Sequence, residues 1–255
     1  MVVKRDKIVK FCEDYLKVKD FKDHCINGLQ IEGKEEIKQI VTGVSFSEKL
    51  IREAIKKKAD MLIVHHGIFD STIGNNPQIT NNLKNRFKLV LGKDINLCGF
   101  HLPLDAHPVI GNNISLLKTF GLKKVEPINT KQYGNIGFIG EFNKPIDFSK
   151  FVSLVNIKLD TSSYVISAGP EKIKKVGIVS GGAASNFKDA LALGADTYLC
   201  GDIHEFLYQE IKESKVNFIN AGHYNTEKMG VQNLGNLIFK KFNVKVDFID
   251  VPCDI

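Results

Sequence analysis

Apolar and polar positions along this chain follow two periods, and the period switches repeatedly from one end to the other. Residues 37–44 form a nearly continuous apolar run, which predicts a buried strand. Residues 47–58 change to helical spacing, with Ser47 placed to cap the helix, and residues 60–64 return to a strand that stops at a histidine pair. Helical periodicity through Ile79, Leu83, Phe87 and Leu91 covers residues 76–93, and a strand over 95–100 then delivers His101 and Asp105. The second half repeats the plan: strand 174–180, helix 184–193, strand 196–200, helix 203–213, strand 216–220, His223, then one more helix and strand. The pattern predicts an α/β fold whose chemistry sits beyond the carboxyl ends of its strands.

Sliding the chain against itself sharpens that picture. At a shift of 136 residues Ile40 falls on Val176, Ala54 on Ala190, and Ala59-Asp60 on Ala195-Asp196, so His65-His66 overlies Gly201-Asp202. At a shift of 122, His101 falls on His223 and Asp105 on Glu227. The expected architecture is therefore two related α/β lobes, an internal pseudo-repeat, facing across a pseudo-twofold axis. Pro127, Asn129 and Gly134 interrupt periodicity in the polar stretch 123–134, which places the division between lobes 1–127 and 128–255. Residues 136–168 add a strand, a helix and a strand to the second lobe.

Composition sets limits. The 255 residues, 43% hydrophobic and 25% charged, are ordinary globular material. The net charge of +6 comes from lysines scattered through helical stretches, such as Lys56-Lys57-Lys58, so a solvated surface is favoured over a nucleic-acid face. Five cysteines at irregular spacing, without a Cys-x-x-Cys pair, are neither a disulfide framework nor a zinc ribbon. They point to a reducing compartment. With no signal peptide and no apolar run of spanning length, a soluble cytoplasmic protein with no membrane partner is expected.

Five of the seven histidines lie in three short stretches: Ile63-Val64-His65-His66-Gly67, His101-Leu102-Pro103-Leu104-Asp105-Ala106-His107, and Ala221-Gly222-His223-Tyr224-Asn225-Thr226-Glu227. These imidazoles and carboxylates are too many for one tetrahedral ion and suit a pair of first-row divalent cations. Adjacent histidines in a strand point to opposite faces, so His65 and His66 reach one cluster only where the backbone turns, which Gly67 permits. Asp105 is either a ligand on a loop stiffened by Pro103 and Pro108 or the cap of a turn. Glu227, four residues beyond His223, is either a bridging ligand or an acid favoured at a helix start. Gly181-Gly182 reads as a weak anion-binding turn or simply a tight turn. Asp202, His204 and Glu205 either line the cleft or are solvated acids and imidazole at a helix start.

Together with Asn27-Gly28-Leu29-Gln30-Ile31-Glu32-Gly33 and Gly111-Asn112-Asn113, these three stretches resemble the Nif-three-like dinuclear metal-centre family, also catalogued as GTP cyclohydrolase I type two. The resemblance runs nearly the whole length. It implies two α/β lobes with two divalent ions per chain (zinc, iron or manganese) in the cleft between them, and a toroidal homohexamer built as a trimer of dimers. It further implies that His66, Asp105 and Glu227 hold one ion while His65, His223 and the same Glu227 hold the other, with His101 beside them orienting a ligand or shuttling protons. Cys200 and Phe206 depart from the family's pattern near Asp202, which touches only expected substrate contacts. The function that follows is metal-dependent hydrolysis of a nucleotide, with GTP ring opening as the family's form of it. A phosphoesterase and a ring-shaped metal-binding scaffold for a protein or nucleic acid are the alternatives.

Overall fold

The computed structural model describes residues 1–68, 78–130 and 133–253. The chain divides into two compact units, Met1–Leu104 with Gly230–Val251, and Asp105–Met229 with Pro252–Ile255. The division read from the sequence at 127/128 falls inside a strand, Lys123–Thr130, that pairs with Gly134–Asp147. The polar stretch is a hairpin rather than a linker. Pro127 is accommodated because Lys123–Thr130 is the outermost strand of its sheet and its register slips on either side of the proline.

The first unit holds a five-stranded sheet in the order Lys245–Phe248, Gln39–Ser45, Met61–His66, Asn96–Gly99, Gly28–Ile31. The first four strands are parallel and the last is antiparallel. Gln39–Ser45 is buried at every position but its last, as expected of a parallel strand covered on both faces. Ser47 caps the helix Glu48–Lys56 by accepting from Leu50 N, and Leu50, Ile51 and Ala54 pack with Val41, Leu62 and Val64. The helix expected over 76–93 runs over Asn81–Leu91; its first two expected residues lie outside the described residues.

The second unit holds a six-stranded sheet in the order Lys123–Thr130, Gly134–Asp147, Lys172–Ile178, Thr197–Cys200, Asn217–Asn220, Tyr164–Ile166. Its three middle-to-late strands are parallel, as in the first unit. Phe151, Val155, Val176, Leu199 and Ile219 centre its core. The helices expected over 184–193 and 203–213 each open with a 3-10 turn before the α-helices Phe187–Ala192 and Tyr208–Glu213. The last helix, His223–Phe242, contributes its first turns to this unit and the rest to the other.

Within each unit the same hydrogen bonds recur, 136 residues apart except for Asn96 and Asn217, which are 121 apart. Ile40 stands opposite Met61, and Val176 opposite Thr197. Asp60 accepts from the amides of Lys38 and Gln39; Asp196 accepts from those of Lys174 and Lys175. Asn96 accepts from Gly33 N and donates to Lys34 O, just as Asn217 accepts from Gly169 N and donates to Pro170 O. These side chains close strand entrances that would otherwise leave amides unsatisfied.

Asp60 is buried, which would raise its carboxyl, but the Lys34 ammonium and the two amides outweigh burial and hold it below its ordinary value of 3.8. Such a depressed group stabilises fully above its ordinary value, and the contribution is lost as pH falls through the lower folded value. Asp60→Asn is accordingly expected to cost about 2–3 kcal/mol at neutral pH. The gap to wild type should close below about pH 4 in urea melts; a gap independent of pH would show that the charge does not matter.

Candidate metal centre

In the first unit the strand Met61–His66 ends on the histidine pair, and the neighbouring strand Asn96–Gly99 runs on to His101. Donor atoms of His65, His66 and His101 lie within 4.8 Å of one another, and their ring centroids are 4.6, 5.0 and 5.6 Å apart. Each ring is oriented through Nδ1. His65 is 1% exposed and its Nδ1 donates to Phe100 O at 2.9 Å. His66 Nδ1 lies 3.1 Å from Ser45 Oγ, and His101 Nδ1 lies 3.0 Å from Asp23 Oδ1. A ring whose Nδ1 carries the proton presents Nε2 as its lone-pair atom, the arrangement typical of metal-ligating histidines.

The stretch beginning at Asn27 explains how these rings are held. Asn27 accepts from His101 N at 2.7 Å and donates to Asp23, while Gln30 accepts from Ile68 N at 2.9 Å. The Gln30 carboxamide lies where a Cβ on Gly67 would have to go, so a side chain at 67 would displace it from its bond to Ile68 N. Asp23 also accepts from Leu102 N at 2.9 Å, capping the short helix Leu102–Ala106. Burial by itself would raise the Asp23 carboxyl, yet its bonds to His101, Asn27 and Cys25 N outweigh that and hold it far below the usual carboxylate range.

The second unit supplies the other sequence-predicted residues. Asp105 is 4% exposed; its Oδ1 accepts from Asn112 Nδ2 at 2.8 Å and from Ser180 Oγ at 2.9 Å. Asn113 bonds both Asp105 O and Ser180 N, so Gly111-Asn112-Asn113 orients the carboxylate as well as opening the helix Asn112–Thr119. Oxygens of Asp105 and Glu227 come within 4.8 Å of each other. The last helix starts at His223, two residues earlier than the expected start near Asn225, which puts Glu227 beyond the first turn. Its place is therefore not that of a first-turn acid.

His223 Nδ1 meets Asp202 Oδ2 at 3.0 Å, and its Nε2 lies 3.2 Å from Glu227 Oε2. Burial would lower the imidazole, but the Asp202 and Glu227 carboxylates outweigh it and hold its pKa at about 11. The pocket of charge between those acids thus favours a positive species. Gly181, with φ of +66°, passes so close to the Glu227 carboxylate that a Cβ would overlap it. Gly181 therefore seats Glu227, while a Cβ on Gly182 would come 3.1 Å from Asp202 Oδ2.

The imidazoles oriented through Nδ1 in the first unit, and the buried carboxylates beside an imidazole in the second, are each donor types that a first-row divalent cation accepts. Asp23, Ser45 and Ser180 escaped sequence reasoning because nothing local marks them; Asp202 was singled out, and it orients His223. His204 stacks on Phe206, which is 70% exposed, and stands apart from these groups; His107 Nδ1 accepts from Val109 N and Ile110 N in a turn. No helix among the described residues is long and apolar enough to cross a membrane. The five cysteines form no disulfide.

The family model for Duf34/NIF3 (NGG1p interacting factor 3) matches residues 3–254. A protein of Pseudomonas aeruginosa named GTP cyclohydrolase 1 type 2 homolog is 34% identical over 252 residues, spanning 99% of both chains. A Pyrococcus horikoshii protein of the same name is 39% identical over 250 residues, spanning 97% of this chain and 98% of that one. A solved structure described as protein ybgI, of unknown function, matches with a TM-score of 0.94 at 33% identity, covering 99% of this chain and 100% of that one.

Proposed function

We propose that this chain, which belongs to the Duf34/NIF3 (NGG1p interacting factor 3) family, is a hydrolase that acts on a nucleotide with two divalent cations held by His65, His66, Asp105, His223 and Glu227. The observation that carries the reading is the orientation of the imidazoles. His65, His66 and His223 each have Nδ1 engaged, by Phe100 O, Ser45 Oγ and Asp202 respectively, so that Nε2 is the atom each would offer to a cation. Rings that only filled the core would have no need to be engaged at the same nitrogen. The relatives' printed name supports a nucleotide as substrate and ring opening of the GTP cyclohydrolase type as the reaction.

When bound, the cations would supply Lewis acidity for the attacked centre and for water. The chain's own contribution is orientation and proton movement. Asp23 fixes a proton on His101 Nδ1, which leaves Nε2 to accept a proton and pass it on. Asp105 is held by Asn112 and Glu227 lies beside the His223 imidazole, and both carboxylates are buried away from competing water.

The test is turnover of a nucleotide panel, GTP included, by protein whose metal content has been measured. His101→Gln is expected to retain its metal and lose roughly 10²–10⁴-fold in kcat with KM little changed. Asp23→Asn, which reaches the reacting groups through His101, should lose roughly 10–100-fold. Wild-type protein, loaded with metal, that turns over none of the panel would end the proposal for nucleotides. Full activity in His101→Gln would remove the proton-transfer role.

A further inference from the structure

The loop before the strand Gly28–Ile31 carries an aspartate, a histidine and a cysteine in succession: Asp23, His24 and Cys25. Ligand atoms of these three and of His101 all lie within 4.8 Å of one another, and all four residues belong to the first unit. Local bonding brings them together. Asp23 Oδ1 accepts from Cys25 N at 3.0 Å, and Asn27 Nδ2 reaches Asp23 Oδ2 at 2.9 Å and Cys25 O at 3.3 Å, wrapping the loop around the carboxylate. His24 Nδ1 lies 3.5 Å from Asp23 Oδ1, and its ring meets that of His101 edge-on at 4.9 Å between centroids.

We propose that Asp23, His24, Cys25 and His101 form a second, separate cation site that takes zinc or a similar borderline-soft divalent ion. One thiolate, two imidazoles and one carboxylate are a complete tetrahedral set for zinc. Bonds of ~2.0–2.3 Å require donors roughly 3.3–3.8 Å apart. The Asp23–His24 separation of 3.5 Å already meets that, and the Asp23–His101 separation of 3.0 Å needs to open by a few tenths. The sulfur separates this site chemically from the nitrogen and oxygen set of His65, His66, Asp105, His223 and Glu227, which suits harder ions as well. The proton balance is simple: the Cys25 thiol gives up its proton to solvent and its sulfur bonds the cation.

Occupation has a consequence for His101. Its bond to Asp23 is replaced by bonds from both residues to the ion, so the proton of the neutral His101 ring moves from Nδ1 to Nε2, which can then no longer accept one, and the ring loses its orientation by Asp23. Zinc at this place would switch off proton transfer, a clause that rests on the proposed function; the binding itself does not.

Cobalt titration of the full chain tests the site without any turnover, in a Cys253→Ser background because Cys253 is exposed while Cys12, Cys98 and Cys200 are buried. The expected result is a near-ultraviolet thiolate-to-cobalt band with the visible bands of a tetrahedral ion, displaced by zinc. It should persist in Glu227→Ala and vanish in Cys25→Ser. His24→Ala, with Cys25 intact, should weaken cobalt by more than the ~10–100-fold that losing an outer-shell partner costs. No thiolate band in the Cys253→Ser protein, or a band that Cys25→Ser leaves unchanged, would overturn the site, whatever the fate of the hydrolase reading.

Discussion

Glu227→Ala is expected to bring freshly purified protein from about two divalent ions per chain to one or none, with nucleotide turnover lost and the fold retained. The reasoning starts from burial. A carboxylate that is 3% exposed is costly unless cations or donors surround it, and here the neighbours include His223 Nε2 at 3.2 Å and the oxygens of Asp105 within 4.8 Å. Two acids so close repel unless a positive charge lies with them. Removing Glu227 takes away the proposed shared ligand, so both ions weaken together, whereas removing a ligand to one ion should spare the other. Metal analysis by mass spectrometry, with circular dichroism to check folding, reads the result. Glu227→Gln, which keeps the shape and loses the charge, should behave almost as badly. Unchanged metal content in both variants would remove Glu227 from the centre.

The second large effect is expected from Gly201→Ala. Gly201 follows the strand Thr197–Cys200, and a Cβ there would stand 2.7 Å from His223 Cα, 2.8 Å from Thr226 Oγ1 and 2.9 Å from Gly181 O. Two of those three atoms are backbone and cannot rotate away. The third, Thr226 Oγ1, is tied by bonds to Gly181 N and Gly222 O. Overpacking of this kind costs about 1–3 kcal/mol, or a fall of roughly 2–10 °C in Tm for a chain of this size. The start of the last helix must also shift, carrying His223 and Glu227 with it, so metal affinity should fall alongside stability. Gly121→Ala is the control. Gly121 has φ of +70° but nothing within 4 Å of a Cβ, so it should show only the cost of left-handed backbone, about 1–2 kcal/mol, with metal content intact. If Gly201→Ala matched wild type in both readouts, the close seating of the helix on Gly201 would be wrong.

How much of this was legible beforehand depends on the range of the interaction involved. The strands at 39–45, 61–66 and 96–99 and the capped helix at 48–56 were read correctly because apolar period and Ser47 are signals within a single turn or strand. The hairpin at 123–147 was not, since Pro127 and two register slips look like a linker until the strand is known to be outermost in its sheet. The compact units also part at Leu104 and take back Gly230–Val251, because the strand Lys245–Phe248 finds its partner in Gln39–Ser45, a pairing no local pattern announces.

Sequence by itself determined which donors exist, at which strand ends they fall, and the family, because ligand chemistry and apolar spacing are written in consecutive residues. Only the tertiary structure decided what holds those donors. Asp23 meets His101 across 78 positions, Phe100 O meets His65 across 35, and Asp202 meets His223 across 21. Such partners are chosen by strand order and register, which arise from the packing of whole sheets, and so the tautomer of each imidazole was out of reach until the chain was seen folded.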